Sequence, residues 1–71
     1  MKDKTSEMVL MKIEVKMAYD EYKERYKKVP TGLTKLKTEI LLSTDSSYIT
    51  MLKARFFGNI RKSINAKKRN E

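Results

Sequence analysis

The residues most suited to binding chemistry form a cationic run late in the chain. Between residues 51 and 70 the sequence has seven lysines and arginines and no acidic residue. A surface adapted only to solubility intersperses both signs of charge, whereas lysines and arginines that face a nucleic acid bind its phosphates by releasing condensed counterions. This run therefore predicts a nucleic-acid partner. Its members are Lys53, Arg55, Arg61, Lys62, Lys67, Lys68 and Arg69.

The charge is distributed unevenly along the chain. The formal net charge is +8, of which residues 1–31 carry +2 and residues 32–71 carry +6. The surface for an anionic partner is therefore expected in the second half. A solvated basic face without any partner is the alternative interpretation of the same residues.

The residue types needed for catalysis are scarce. The sequence has no histidine and no cysteine, which removes the commonest general base, the commonest metal ligand and the thiolate nucleophile. Ser43, Ser46 and Ser47 have no histidine to activate them, and there is no glycine-rich phosphate loop. We therefore expect a protein that is not an enzyme, with no catalytic residues, no metal site and no cofactor.

Length and composition predict one domain in the cytoplasm. A chain of 71 residues is the size of a single small domain, and domains this small bury only roughly 60% of their unfolded surface. The sequence has neither a signal-like apolar run nor a long apolar segment. We expect an intracellular, cytoplasmic protein, associated with the nucleoid if it binds DNA. A membrane is not an expected partner, because residues 51–68 lack a wide apolar face.

The spacing of apolar residues in the first half predicts a long helix. From Met8 to Tyr26, apolar side chains recur every three or four residues, which is typical of an amphipathic helix. Pro30 cannot extend a helix and Gly32 permits a turn, so the first helix is expected to end before them. The sequence as a whole predicts an all-α, three-helix domain.

The second half predicts a polar break and a third helix. Residues 43–47 are Ser, Thr and Asp, which favour turns and caps. Asp45 is the expected N-cap of the third helix, with Ser46 or Ser47 as the alternatives. Gly58 is expected to end or kink this helix, leaving a short C-terminal extension. The predicted helices are residues 6–28, 33–42, 46–57 and 59–67, followed by a basic tail at 66–71.

One segment of the first helix also fits a strand. Val9, Ile13 and Met17 belong to an alternation of apolar and other residues that is typical of a half-buried strand. A strand here, followed by two helices, would resemble a ribbon-helix-helix repressor. The helix is favoured because the spacing of three and four continues past residue 17, where the alternation ends.

Residues 33–57 combine a short helix, a polar break and a longer helix. Leu33, Leu36 and Ile40 share one face of the first helix, and Ile49 and Leu52 lie on the inner face of the second. This order resembles the helix-turn-helix family of DNA-binding domains over about half of the chain. An ordinary helical hairpin without any contact to DNA is the alternative.

In the helix-turn-helix family, the second helix of the pair enters the major groove with its N-terminal residues on base edges. The resemblance implies such contacts for Ser46, Ser47, Thr50 and Lys53, with Thr44 or Lys37 near phosphates. It also favours duplex DNA over RNA. The expected function is a small DNA-binding protein, either a regulator or an architectural accessory.

The aromatic residues are expected mainly in the core, with one exception. Phe57 follows Phe56 directly and lies off the main apolar stripe, so it is a candidate contact for a protein partner or a second copy. A small, methionine-rich chain with a thin core can also fold against a larger protein. The alternative function is therefore a non-catalytic accessory subunit of a larger nucleic-acid-processing enzyme.

Overall fold

The three helices of this protein pack around one shared apolar core. A computed structural model describes residues 4–69, with side chains for residues 5–68. The helices are α1 (Lys4–Tyr26), α2 (Thr31–Leu42) and α3 (Ser46–Arg69). No strand occurs among the described residues, so the predicted all-α, three-helix fold is confirmed. None of these helices is both long and apolar enough to span a membrane.

The segment that also fitted a strand is helical. Residues 8–17 lie within α1, and Val15, Tyr19 and Tyr22 from this helix are buried in the core. The strand and the ribbon-helix-helix arrangement are therefore excluded for this segment. The spacing of three and four residues favours the helix because it places these apolar side chains on the one face that packs against the other two helices.

The boundary between α1 and α2 differs from the prediction by two residues on each side. Helix α1 ends at Tyr26 because Lys27 adopts a left-handed backbone conformation, with φ 67°. Helix α2 begins at Thr31 with Pro30 as its N-cap residue. The Pro30 carbonyl accepts hydrogen bonds from the N–H groups of Leu33 (3.0 Å) and Thr34 (3.3 Å). A proline suits this place because the first N–H groups of a helix have no partner within the helix.

The connection between α2 and α3 is residues 43–45, and α3 begins at Ser46 as predicted. The Asp45 carboxylate accepts hydrogen bonds from the N–H groups of Ser47 (2.9 Å) and Tyr48 (3.2 Å). These are the second and third residues of the helix, which are the donors that an N-cap side chain satisfies. The predicted Asp45 cap is confirmed.

Replacing this cap is expected to weaken the fold measurably. Asp45→Ala leaves two N–H groups without their acceptor and removes a negative charge from the helix N-terminus, so we expect a loss of about 1 kcal/mol in the free energy of unfolding. Urea denaturation followed by circular dichroism measures it. Asp45→Asn keeps an acceptor oxygen and is the matched control. Equal stability of the alanine variant and the native chain would contradict this role.

The predicted break at Gly58 is wrong. Helix α3 runs without interruption from Ser46 to Arg69, so the expected helices 46–57 and 59–67 are one element. A glycine inside a helix costs about 1 kcal/mol relative to alanine, which is less than the packing of Phe57, Ile60 and Ile64 against the core supplies. Asn70 and Glu71 of the predicted basic tail lie outside the described residues.

The core draws on all three helices. Five of its side chains are almost fully enclosed. Polar contacts at the edge of the core join α1 to α2. The Tyr19 hydroxyl lies 3.1 Å from the Thr34 hydroxyl, and the Lys12 ammonium donates a hydrogen bond to the Leu41 carbonyl at 2.9 Å. The Lys12 bond places a positive charge at the C-terminus of α2, where the helix dipole favours it. The core residues are Val15, Tyr19, Tyr22, Leu33, Ile40, Ile49, Leu52 and Phe56.

Candidate nucleic-acid interface

The basic residues of α3 point in several directions. At 100° per residue, Arg55 and Lys62 lie on the side of α3 next to α2, and Arg61 and Lys68 lie about a third of a turn around the helix from them. All four of these side chains are exposed. The cationic run therefore forms more than one surface. The side chain of Arg69 lies outside the described residues.

Three of the predicted cations are held by α1. The Lys53 ammonium lies 3.0 Å from a Glu14 carboxylate oxygen. The Lys37 ammonium lies 4.2 Å from the centre of the Tyr19 ring, and the Lys67 ammonium lies 5.1 Å from the centre of the Tyr26 ring. Both lysine–tyrosine distances are in the range of cation–π attraction. These three lysines help to join the helices.

The N-terminal turn of α3 lies beside acidic residues. Ser46, Ser47 and Thr50 share a depression of about 330 Å³ with Glu7 and Glu14 of α1. The Thr50 hydroxyl is 2.8 Å from the Ser46 carbonyl oxygen and 3.4 Å from the Met11 sulfur. Two carboxylates next to this turn repel phosphate, so its surroundings are less suited to DNA than the sequence alone suggested. Thr44 is exposed in the connection.

A groove between α2 and α3 is lined by cations without acids. Lys35 of α2 and Arg55 and Lys62 of α3 line it, and its volume is about 460 Å³. None of the three has an ion-pair partner among the described side chains. We call this feature the basic groove. Its lining residues are Gly32, Lys35, Leu36, Arg55, Gly58, Asn59 and Lys62.

Two glycines in the basic groove leave its floor open. A Cβ atom built at Gly32 or at Gly58 meets no atom within 4 Å. Neither glycine has a positive φ, so neither backbone conformation requires glycine. Packing inside the protein does not require it either. Because these two residues have no side chains, another molecule has space to approach the backbone of α2 and α3 closely.

A tyrosine–glutamate pair lies next to Arg55. The Tyr48 hydroxyl donates a hydrogen bond to the Glu39 carboxylate at 3.2 Å. This bond and the charge of Glu39 raise the pKa of Tyr48 above its usual value, while the positive charge of Arg55 acts in the opposite direction. The aromatic residues were expected mainly in the core, but Tyr48 is 41% exposed. Its ring is therefore partly exposed near Arg55, while its hydroxyl is bonded to Glu39.

Phe57 lines a separate, largely apolar groove between α1 and α3. Its volume is about 180 Å³, and Tyr22, Tyr26, Ile60 and Ile64 are among its lining residues. Phe57 packs edge-on against Phe56, with ring centres 5.4 Å apart. The hydroxyl of Tyr22 is buried and has no hydrogen-bond partner among the described residues. Phe57 itself is partly buried. Its exposed part faces the groove, so a partner would contact it there.

Sequence reasoning missed two features of the surface. Lys35 is not among the candidate residues of the sequence, and nothing in the sequence indicates that it lies across a groove from Arg55 and Lys62. The spacing of seven between Arg55 and Lys62 was a usable signal, because it keeps two side chains on nearly the same side of a helix. The second missed feature is a set of exposed apolar residues on α1, which are Val9, Leu10, Ile13 and Met17.

No protein-family model matches this sequence, and no curated protein or solved structure is significantly similar to it.

Proposed function

We propose that this protein binds nucleic acid, with duplex DNA as the preferred form, through the basic groove. The observation that supports the proposal best is the set of three exposed cations, Lys35, Arg55 and Lys62, on a concave surface lined by no acidic side chain. Cations so placed attract phosphates and release counterions when they bind. The exposed Arg61 and Lys68 extend the positive surface along α3.

The proposal keeps α3 as the DNA-contacting helix but moves the main contact away from its first turn. Ser46, Ser47 and Thr50 lie beside Glu7 and Glu14, and Lys53 is paired with Glu14. A phosphate near this turn would meet two negative charges, of which one is already paired with Lys53. A phosphate in the basic groove would meet three positive ones, so the groove is the more favourable place by charge.

The dependence of binding on salt tests the proposal. Three phosphate contacts predict a slope of about −2.7 in the logarithm of affinity against the logarithm of salt, or roughly a 40-fold loss between 50 and 200 mM. Fluorescence anisotropy with a labelled duplex of random sequence measures it. Single-stranded DNA and duplex RNA of equal length test the preference. Absence of binding at 50 mM salt, or affinity that does not change with salt, would overturn the proposal.

Filling the space above Gly58 is expected to affect stability and binding in opposite directions. Gly58→Ala replaces a glycine inside a helix, where a Cβ atom meets nothing within 4 Å. We expect the free energy of unfolding to rise by about 0.5–1 kcal/mol, while the affinity for duplex falls severalfold because the methyl group occupies the groove. Ala54→Gly is the control on an exposed face of α3. Unchanged affinity would show that nothing approaches this backbone.

A second candidate function is a non-catalytic accessory subunit that folds against a larger nucleic-acid-processing enzyme. The observation that favours it is the apolar groove at Phe57, beside which the buried hydroxyl of Tyr22 has no partner among the described residues. Such a hydroxyl is unfavourable unless a bound molecule supplies an acceptor or donor. Co-purification with one dominant larger protein would support this function. A cooperative thermal transition of the chain alone would count against it.

A further inference from the structure

We propose that the outer face of α1 binds a second copy of this chain as a parallel pair of helices. Four apolar residues on this face, which we call the outer stripe, are exposed: Val9 48%, Leu10 58%, Ile13 47% and Met17 66%. They lie on the side of α1 away from its core residues, so α1 is apolar on two opposite faces. A helix with this distribution is usually covered on both sides, and contiguous exposed apolar residues mark interaction surfaces.

The spacing within the outer stripe is that of a coiled-coil seam. Leu10, Ile13 and Met17 follow one another at intervals of three and four residues. Two helices with apolar residues at this mean spacing of 3.5 pack along a common line, with the side chains of one in the gaps of the other. The outer stripe thus has the form required by another helix of the same pattern.

The charges on the two sides of the outer stripe have opposite signs. Glu7, Glu14 and Glu21 follow one edge at intervals of seven residues, and Lys16 and Lys23 follow the other edge at the same interval. All five side chains are exposed. In coiled coils, residues at these flanking positions form the ion pairs that set partner choice and orientation.

This arrangement is complementary to itself in one orientation only. In a parallel pair, the basic edge of each helix lies along the acidic edge of the other, and Lys16 of one copy lies next to Glu21 of the second copy. In an antiparallel pair, acidic edge meets acidic edge and basic edge meets basic edge. The charges therefore favour a second copy in parallel orientation, because the complement of the outer stripe is the outer stripe itself.

Neighbouring residues limit the length and the size of the assembly. Asp20 and Glu24 continue the same face of α1, and in a parallel pair each would meet its own counterpart, so the contact is expected to extend no further than the Lys16–Glu21 pairs that flank Met17. At one flank, Glu14 is already contacted by Lys53 of α3, and on the other side Lys12 is bonded to α2. The open sector between these flanks suits one further helix, which gives a weak dimer of short contact.

This inference does not rest on nucleic-acid binding. The outer stripe belongs to α1, while the basic groove is lined by α2 and α3. Either proposal can therefore fail while the other stands, and the experiment below contains no nucleic acid.

Sedimentation equilibrium of the full chain over a wide range of concentrations tests the proposal. We expect a mass of one chain at low concentration and of two chains at high concentration. Lys16→Glu alone and Glu21→Lys alone each convert two attractive contacts into repulsive ones, so each should weaken the dimer about tenfold. An equimolar mixture of the two variants should recover the native affinity, since each substituted side chain then meets the opposite charge on the other chain.

Two further variants compare a position inside the seam with one beyond it. Ile13→Asn places a polar group in the seam and should weaken the dimer roughly a hundredfold, while circular dichroism should show the native helix content because Ile13 is half exposed. Lys28→Glu lies beyond the seam and should leave the dimer unchanged. A single-chain mass at every concentration, a mass above two chains, an intact dimer of the Ile13→Asn variant, or a mixture that does not recover affinity would each overturn the proposal.

Discussion

Phe56→Ala is expected to lower the free energy of unfolding by about 3–5 kcal/mol. Phe56 is fully buried where the three helices meet, and its ring also contacts the edge of Phe57. The substitution removes a large apolar side chain and leaves a cavity that the short helices can close only in part. A chain of this length has a total stability of roughly 4–11 kcal/mol, so the loss is a large fraction of the total, and at the lower end of this range the variant is unfolded at room temperature.

Urea denaturation followed by the circular dichroism of the helices gives the loss of unfolding free energy directly. Met51→Ala is the matched control, because Met51 lies on the same helix but is 44% exposed; its effect should stay within about 0.5 kcal/mol. A loss below about 1 kcal/mol for Phe56→Ala would contradict the central position of this ring.

The largest effect on binding is expected from reversing two charges in the basic groove. Arg55→Glu combined with Lys62→Glu places two carboxylates where two phosphate-binding cations stand, leaving Lys35 alone. We expect duplex affinity at low salt to fall by more than about a hundredfold. The remaining binding should depend much less on salt, because at least two counterion-releasing contacts are lost. Fluorescence anisotropy at two salt concentrations measures both quantities.

The control for this prediction has the same net charge. Lys27→Glu combined with Lys28→Glu also changes the formal charge from +8 to +4, since each reversal removes two units. Both lysines are exposed and neither lines the basic groove. If nucleic acid binds the groove, this control should retain most of its affinity. Equal losses in the two double variants would mean that the net charge attracts the duplex and the groove does not select it.

Most of the fold could be predicted from local patterns in the sequence. The spacing of apolar residues predicts three helices, and Asp45 predicts where α3 begins, because caps and amphipathic stripes depend on residues close in sequence. Two of the errors occurred where packing or backbone conformation outweighed local preference. Gly58 stays helical because Ile60 and Ile64 pack beyond it, and α1 ends early because Lys27 takes a left-handed conformation.

The candidate site was less predictable than the fold. The sequence identifies an acid-free cationic run, but it does not show which of those cations contact other side chains of the protein. Lys53 is paired with Glu14, which is 39 residues earlier in the chain, and Lys67 covers a ring of α1. Lys35 was not a candidate, although it lies across the basic groove from Arg55. Such assignments depend on contacts between helices, which local spacing does not encode.

The unbroken α3 also determines how the molecule rotates in solution. Its 24 residues span about 36 Å, and the protein measures 47 × 20 × 19 Å, so α3 runs along the molecule and not across it. An elongated body turns faster about its long axis than end over end. The N–H bonds of α3 lie along the axis and report the slower rotation. Nitrogen-15 relaxation should therefore give higher transverse-to-longitudinal rate ratios for amides in α3 than for rigid amides that point across it.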